Sequence, residues 1–102
     1  MYARLSTYEL PGSASRDAEE AFRGALRTID ECHGLADGMY LVSCDGDRAM
    51  TLTLWDSRAE MEASRVQATQ ARIDAAHQVE AAIVSTEEFE VAFALTRDFA
   101  MH

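Results

Sequence analysis

The sequence predicts an α+β fold of the ferredoxin-like plan, βαββαβ, with an antiparallel sheet and the helices on one face. Three observations predict it. Residues 38–60, GMYLVSCDGDRAMTLTLWDSRAE, read as strand, tight turn, strand and abrupt helix start. Amphipathic helical stretches of similar length precede and follow that hairpin. Segments of period-two alternation stand at the two ends, Tyr2 to Leu10 and Ile83 to Leu95. Strand, helix, strand, strand, helix, strand, with near-equal crossovers, is the split βαβ arrangement. At 102 residues the chain makes one domain, assigned to residues 1–95, with a pattern-free tail at 96–102.

The first strand alternates Ala3, Leu5, Thr7 with Tyr2, Arg4, Ser6, Tyr8, and Pro11-Gly12 ends it because proline brings no ladder donor. A helix then starts at Ser15. Its apolar side is Ala18, Phe22, Ala25, Leu26, Ile29 and Cys32, with Asp17, Glu19 and Glu20 near the positive end of the helix dipole. Glu19 with Arg23, and Arg27 with Glu31, are spaced to pair on its wet side. Gly34 is its stop, and His33 beside it reads as a cation at the negative helix end.

Met39 to Cys44 and Ala49 to Trp55 form the hairpin strands. Asp45-Gly46 between them suits a two-residue loop, since Gly accepts positive φ and Asp tolerates it. Ser57 and Glu60 form an S-x-x-E capping box that opens the second helix, Ser57 to about Ala82, in one piece or two. One stripe of that helix carries Val66, Thr69, Gln70, Ile73, Ala76, His77 and Glu80. Another carries Ala68, Ala71, Ala75, Val79 and Ala82. Small and polar residues on an inward stripe either line a cavity or let the helix pack close to the sheet. In the last strand Phe89, Val91, Phe93 and Leu95 alternate with Glu88, Glu90, Ala92 and Ala94.

The net charge of −9 comes from 18 acidic against nine basic residues, all nine of them arginine. An acidic surface repels phosphate backbones, so neither nucleic acid nor an anionic membrane is an expected partner. The N-terminus has no signal-type apolar core and no run approaches a membrane span, which points to the cytoplasm. Cys32 and Cys44 lack metal-ligand spacing, and no metal or cofactor site is expected. The strands are apolar on both faces: Met50, Leu52 and Leu54 on one side of the third strand, Ala49 and Trp55 on the other. Helices cover only one face, so a homodimer through the open sheet face is expected.

Over residues 2–94 the element order, the hairpin and the segment TLTLWDSRAEME resemble the antibiotic-biosynthesis-monooxygenase family, whose members pair into dimeric α/β barrels. In that family a strand commonly ends in Trp, followed by an acidic residue and Ser that start the next helix; here these are Trp55, Asp56 and Ser57. The resemblance implies a pocket tryptophan at Trp55. It also implies one of several activities: cofactor-independent oxygenation of polycyclic aromatics, quinol oxidation or heme degradation. The oxygenase and heme-degrading patterns both use a pocket asparagine, and this chain has none. The heme-degrading pattern places a histidine about three helical turns after the Trp. The only downstream helical candidate, His77, lies a further three turns along, which ranks heme degradation last.

The expected function is therefore cofactor-independent monooxygenation of an aromatic or polyketide-like small molecule. The alternative is a non-catalytic dimeric binding or accessory protein. His77 is the expected base, with a neutral imidazole near physiological pH or, alternatively, an ordinary helix-surface histidine. Tyr40 and Arg72 are the expected holders of a substrate oxygen. Trp55, Tyr8 and Gln70 are expected to bind substrate. Trp55 either stacks on a flat ligand or fills the strand-end core. Tyr8 and Tyr40 either donate phenolic hydrogen bonds or pack at the sheet. Arg4 either joins Arg72 in charge stabilisation or pairs across the sheet with Glu88 or Glu90.

Overall fold

The computed structural model describes residues 1–12 and 15–95; the tail expected at 96–102 lies outside them. The elements are β1 (Tyr2–Glu9), α1 (Ser15–Ile29), β2 (Leu35–Val42), β3 (Arg48–Trp55), α2 (Arg58–Ala63), α3 (Arg65–Gln78) and β4 (Ala82–Glu90). The sheet order is β2-β3-β1-β4 and every neighbouring pair is antiparallel, the ferredoxin-like arrangement. The register places Arg4 opposite Glu88, one of the two cross-strand partners expected for it.

Three boundaries differ from those the sequence predicts, each for a local reason. β2 begins at Leu35 rather than Met39, because β3 is long enough to pair Asp37 with Leu54 and Leu35 with Trp55 around a bulge. The hairpin loop is longer than two residues. Ser43 donates its N–H to Arg48 O at 2.9 Å, and Gly46 donates to Ser43 O at 2.8 Å. Gly46 has φ +80°, the left-handed value that its glycine permits. β4 ends at Glu90 because its partner β1 begins at Tyr2; Phe93 and Leu95 beyond it are exposed.

The second helix is in two pieces. In an unbroken helix Met61 O would accept from the Arg65 N–H. Here Met61 O accepts from Ser64 Oγ at 2.7 Å and from Arg4 Nη2 at 2.8 Å.

Helix starts and stops obey their caps. Ser57 Oγ accepts from Glu60 N at 3.1 Å and donates to Glu60 Oε1 at 2.9 Å. Gly34 has φ +91°, and a Cβ there would lie 2.4 Å from the Glu60 side chain, so only glycine fits. Arg23 pairs with Glu19 at 2.7 Å. The expected Arg27–Glu31 pair does not form among the described residues, because α1 stops at Ile29 and Glu31 leaves the helical spacing. His33 lies beyond the last residue of α1, Ile29, rather than at the helix end itself. It sits exposed in the following loop, with Nδ1 2.5 Å from Glu60 Oε2.

On the helix-covered side the core holds Ala18, Phe22, Ala25 and Ile29 of α1. Phe22 packs between Tyr8 (centroids 4.4 Å apart) and Tyr40 (5.3 Å). The opposite face carries Leu5, Leu52, Leu54 and Met50 beside the exposed Met39, Leu41 and Phe89, a contiguous apolar surface. Among the described residues no helix is long and apolar enough to cross a membrane.

Candidate functional site

Strand pleat decides what enters the layer between sheet and helices. β1 turns Arg4, Ser6 and Tyr8 inward, and β3 turns Ala49, Thr51, Thr53 and Trp55 inward. The leucines and methionine of β3 face the other way. The buried layer is therefore unusually polar, and the open face is the more apolar one. From α3 the inward residues are Ala68, Ala71, Arg72, Ala75 and Ala76, so a close alanine surface surrounds a single buried guanidinium.

A track of polar groups crosses this layer. Tyr40 lies at the β2 end. Its hydroxyl is the one buried side-chain polar atom without a hydrogen-bond partner among the described residues. Burial raises the Tyr40 pKa, with Glu19 and Tyr8 adding to the effect. Next comes Tyr8, fully buried, its hydroxyl 2.8 Å from Thr51 Oγ1. Burial raises its pKa too, opposed by the Thr51 hydrogen bond and by the Arg72 charge.

Arg72 follows, 4% exposed. Among the described residues its one hydrogen-bond partner is Thr69 Oγ1, at 3.2 Å. Burial pushes the Arg72 pKa down; Tyr8 and Glu88 oppose this while Arg4 reinforces it. An arginine remains cationic under such a shift.

The track ends at Arg4 and Trp55. Arg4 is 1% exposed and well satisfied. It donates to Glu88 Oε2 from Nε (3.0 Å) and Nη2 (2.8 Å), to Met61 O, and from Nη1 to Ser64 Oγ (3.1 Å). Its guanidinium lies 5.8 Å from the Trp55 ring centroid. Trp55 is wholly buried at the end of β3, with its indole N–H on Thr53 Oγ1 at 3.0 Å.

The Glu88 carboxylate is shared, since Oε1 also accepts from Arg65 Nη2 at 2.5 Å. The hydrogen bond from Arg65, helped by the Arg4 hydrogen bond and by both charges, holds its pKa at about 2, below the ordinary 4.5, against an upward push from burial. A carboxyl with a depressed folded-state pKa contributes stability that is complete above about pH 4.5 and lost as pH falls through about 2. Urea unfolding of wild type should therefore weaken across that acid window more than that of Glu88→Gln; parallel pH profiles would show that the carboxylate is not held this way.

The structure thus gathers Tyr8, Tyr40, Trp55 and Arg72 in one layer. His77 and Gln70 do not join them. Both are exposed on the outer side of α3, because the inward phase of that helix falls on residues 68, 71, 72, 75 and 76. Gln70 donates to Asp74 at 2.8 Å and lines an open groove of about 600 Å³ between α1 and α3. Ser6, Thr51, Thr53, Ser64 and Glu88 escaped the sequence reading as site residues. The signal for the threonines was their alternation with Met50, Leu52 and Leu54.

No protein-family model matches the chain, and no curated protein sequence does. Solved structures do match. SnoaB of Streptomyces nogalater, a cofactor-independent oxygenase, is 12% identical, with 94% of this chain and 97% of that one covered at a TM-score of 0.76. MhuD of Mycobacterium tuberculosis, a heme-degrader solved with two hemes in its active site, is 21% identical, with 94% and 100% covered at 0.71. A candidate antibiotic biosynthesis monooxygenase of Deinococcus radiodurans is 14% identical, with 95% and 98% covered at 0.69. The ferredoxin-like fold expected from TLTLWDSRAEME and the element order is the fold these proteins share with this chain.

Proposed function

We propose that this chain oxidises an electron-rich aromatic or polyketide-derived substrate with O₂, without a bound cofactor, in the layer between the sheet and α3. The observation that carries the reading is Arg72, a buried cation with one weak neutral partner among the described residues. Beside it stand the Tyr8 hydroxyl and, further along, the unpartnered Tyr40 hydroxyl. A phenol or enolisable ketone bound there ionises more readily, because its oxyanion meets a desolvated positive charge. The resulting carbanion reduces O₂ itself. At a ring CH₂ the substrate loses two hydrogens and gains a carbonyl oxygen, and the second oxygen atom leaves as water. Trp55 closes one end of the layer. With His77 exposed on the outer side of α3, the proton passes to solvent water as the ligand enters, so His77→Ala is expected to leave turnover unchanged. The similarity to SnoaB in fold supports the reaction class.

The second reading is a dimeric binding or accessory protein. Full burial of Trp55 and Tyr8 favours it, since a permanently closed layer would not turn over. Heme degradation ranks below both, because the inward side of α3 presents arginine and alanines and no histidine. In either leading reading we propose a homodimer through the apolar open face.

The test uses the lone tryptophan and an oxygen electrode together. Polycyclic phenols, anthrone-like compounds and hemin are titrated while Trp55 fluorescence is followed. Saturable quenching by one of the first two classes, with O₂ uptake matching product formed, is the expected result. Binding without O₂ uptake selects the accessory reading, and a flat response to every class removes both.

A further inference from the structure

A layer that buries Trp55 and Tyr8 completely and leaves Arg72 4% exposed admits a ligand only if part of its cover moves. The cover is unequal. α1 and α3 pack along one another, and each buries several residues. α2 is six residues long, buries only Met61, and crosses the ends of β1 and β3 that carry Arg4 and Trp55.

Surface hollows flank α2 on both sides. One, of about 450 Å³, is lined by Cys32, His33, Ala63 and Gln67. The other, of about 260 Å³, is lined by Tyr2, Arg58, Phe89 and Glu90. A helix with room on both sides and one buried anchor is the part of this cover that can swing.

We infer that α2 is a door over the interior, hinged where the helical ladder is interrupted at Ser64 and latched by Glu88 between Arg4 and Arg65. The latch is physical and local. Arg4 grips the door through Met61 O and its hinge through Ser64 Oγ. Glu88 holds Arg4 in that pose from β4 with two hydrogen bonds. The same carboxylate binds Arg65, the first residue beyond the hinge. One side chain on the edge strand therefore ties together the strand floor, the door and the helix that follows it. Releasing Glu88 frees Arg4 to turn, and Met61 O of α2 loses one of its two donors, keeping Ser64 Oγ. The Glu60–His33 contact is a second fastening of the door, lying in solvent. That the door serves a substrate rests on the proposed function; that it opens does not.

The experiment uses the full chain with no ligand in any arm. Residue-level amide hydrogen exchange and acrylamide quenching of Trp55 are compared in wild type, Glu88→Gln and Arg65→Gln. Loss of a charge-assisted hydrogen bond should speed exchange in Met61–Ala63 by about tenfold or more. Exchange at Ala71–Ala76 and in β1 and β3 should stay at wild-type rates, and quenching of Trp55 should rise several-fold. Arg65→Gln touches only the exposed side of the latch and should move both readouts in the same direction by less. It decides the matter if Glu88→Gln does not fold. Exchange that rises equally throughout the domain, or a Trp55 no more accessible than in wild type, overturns the door. A failed turnover assay would leave this result standing, and a failed exchange experiment would leave the turnover result standing.

Discussion

Arg4→Met is expected to lower the unfolding free energy by about 3 kcal/mol, a large share of the roughly 5–15 kcal/mol available to a domain of this size. Methionine replaces the aliphatic stem but none of the donors. Met61 O keeps only Ser64 Oγ, Ser64 Oγ loses its donor, and Glu88 keeps only Arg65. The cost sits at the lower end of that for broken buried pairs because Glu88 is a quarter exposed and retains one partner. The cation over Trp55 is lost as well, a smaller effect. Urea unfolding measures the change. A loss below about 1 kcal/mol would mean that Arg4 contributes no more than a surface arginine, despite its burial. The double variant Arg4→Met with Glu88→Leu should recover much of the loss, since removing both charges leaves no carboxylate short of a partner.

The fold was legible because several independent signals agree in this sequence. The S-x-x-E box at Ser57, glycines at two left-handed positions, and clean alternation in β1 and β3 each specify a local structure that the sheet order then uses. The edges were harder to read. Leu35 to Gly38 lie ahead of the apolar run that starts at Met39, yet β3 recruits them by pairing Leu54 with Asp37. Ala92 to Leu95 looks like strand, yet the chain on the β1 side runs out at Met1, whose carbonyl accepts from Val91 N at 2.9 Å. Both outcomes depend on the length of a neighbouring strand, which no local pattern encodes.

The site was legible in its residues more than in its orientation. Trp55, Tyr8, Tyr40 and Arg72 share the layer, but the phase of α3 was ambiguous because one stripe sets Val66 and Ile73 among polar residues, the other is mostly small alanines, and Arg72 belongs to neither. Arg72 falls inward beside Ala71 and Ala75, while Gln70 and His77 fall outward. The pleat held a stronger clue. In β3 the threonines face the helices, and Met50, Leu52 and Leu54 face away. In an isolated two-layer domain the larger apolar residues would be turned inward. The inversion is intelligible if the inner layer handles a polar ligand and the outer face meets a second copy.

The same inversion makes Arg72 the residue at which stability and function should part. Arg72→Met is expected to raise the unfolding free energy by about 1–2 kcal/mol, because it removes a desolvated charge that has one 3.2 Å neutral partner among the described residues and a like charge nearby. Methionine fills the space of the stem among Ala68, Ala71 and Ala75, and the Thr69 hydroxyl is exposed enough to find water. In the same variant, affinity for a phenolate or enolate ligand should fall by about tenfold or more, since the charge-assisted contact is lost. Urea unfolding and Trp55 titration on one preparation measure both quantities. Opposite signs identify a cation retained for a ligand against its cost in the empty protein. A loss of stability near that of Arg4→Met would instead make Arg72 a second structural arginine. The polar layer would then be a hydrogen-bonded core, and the oxygenase proposal would lose its oxyanion partner.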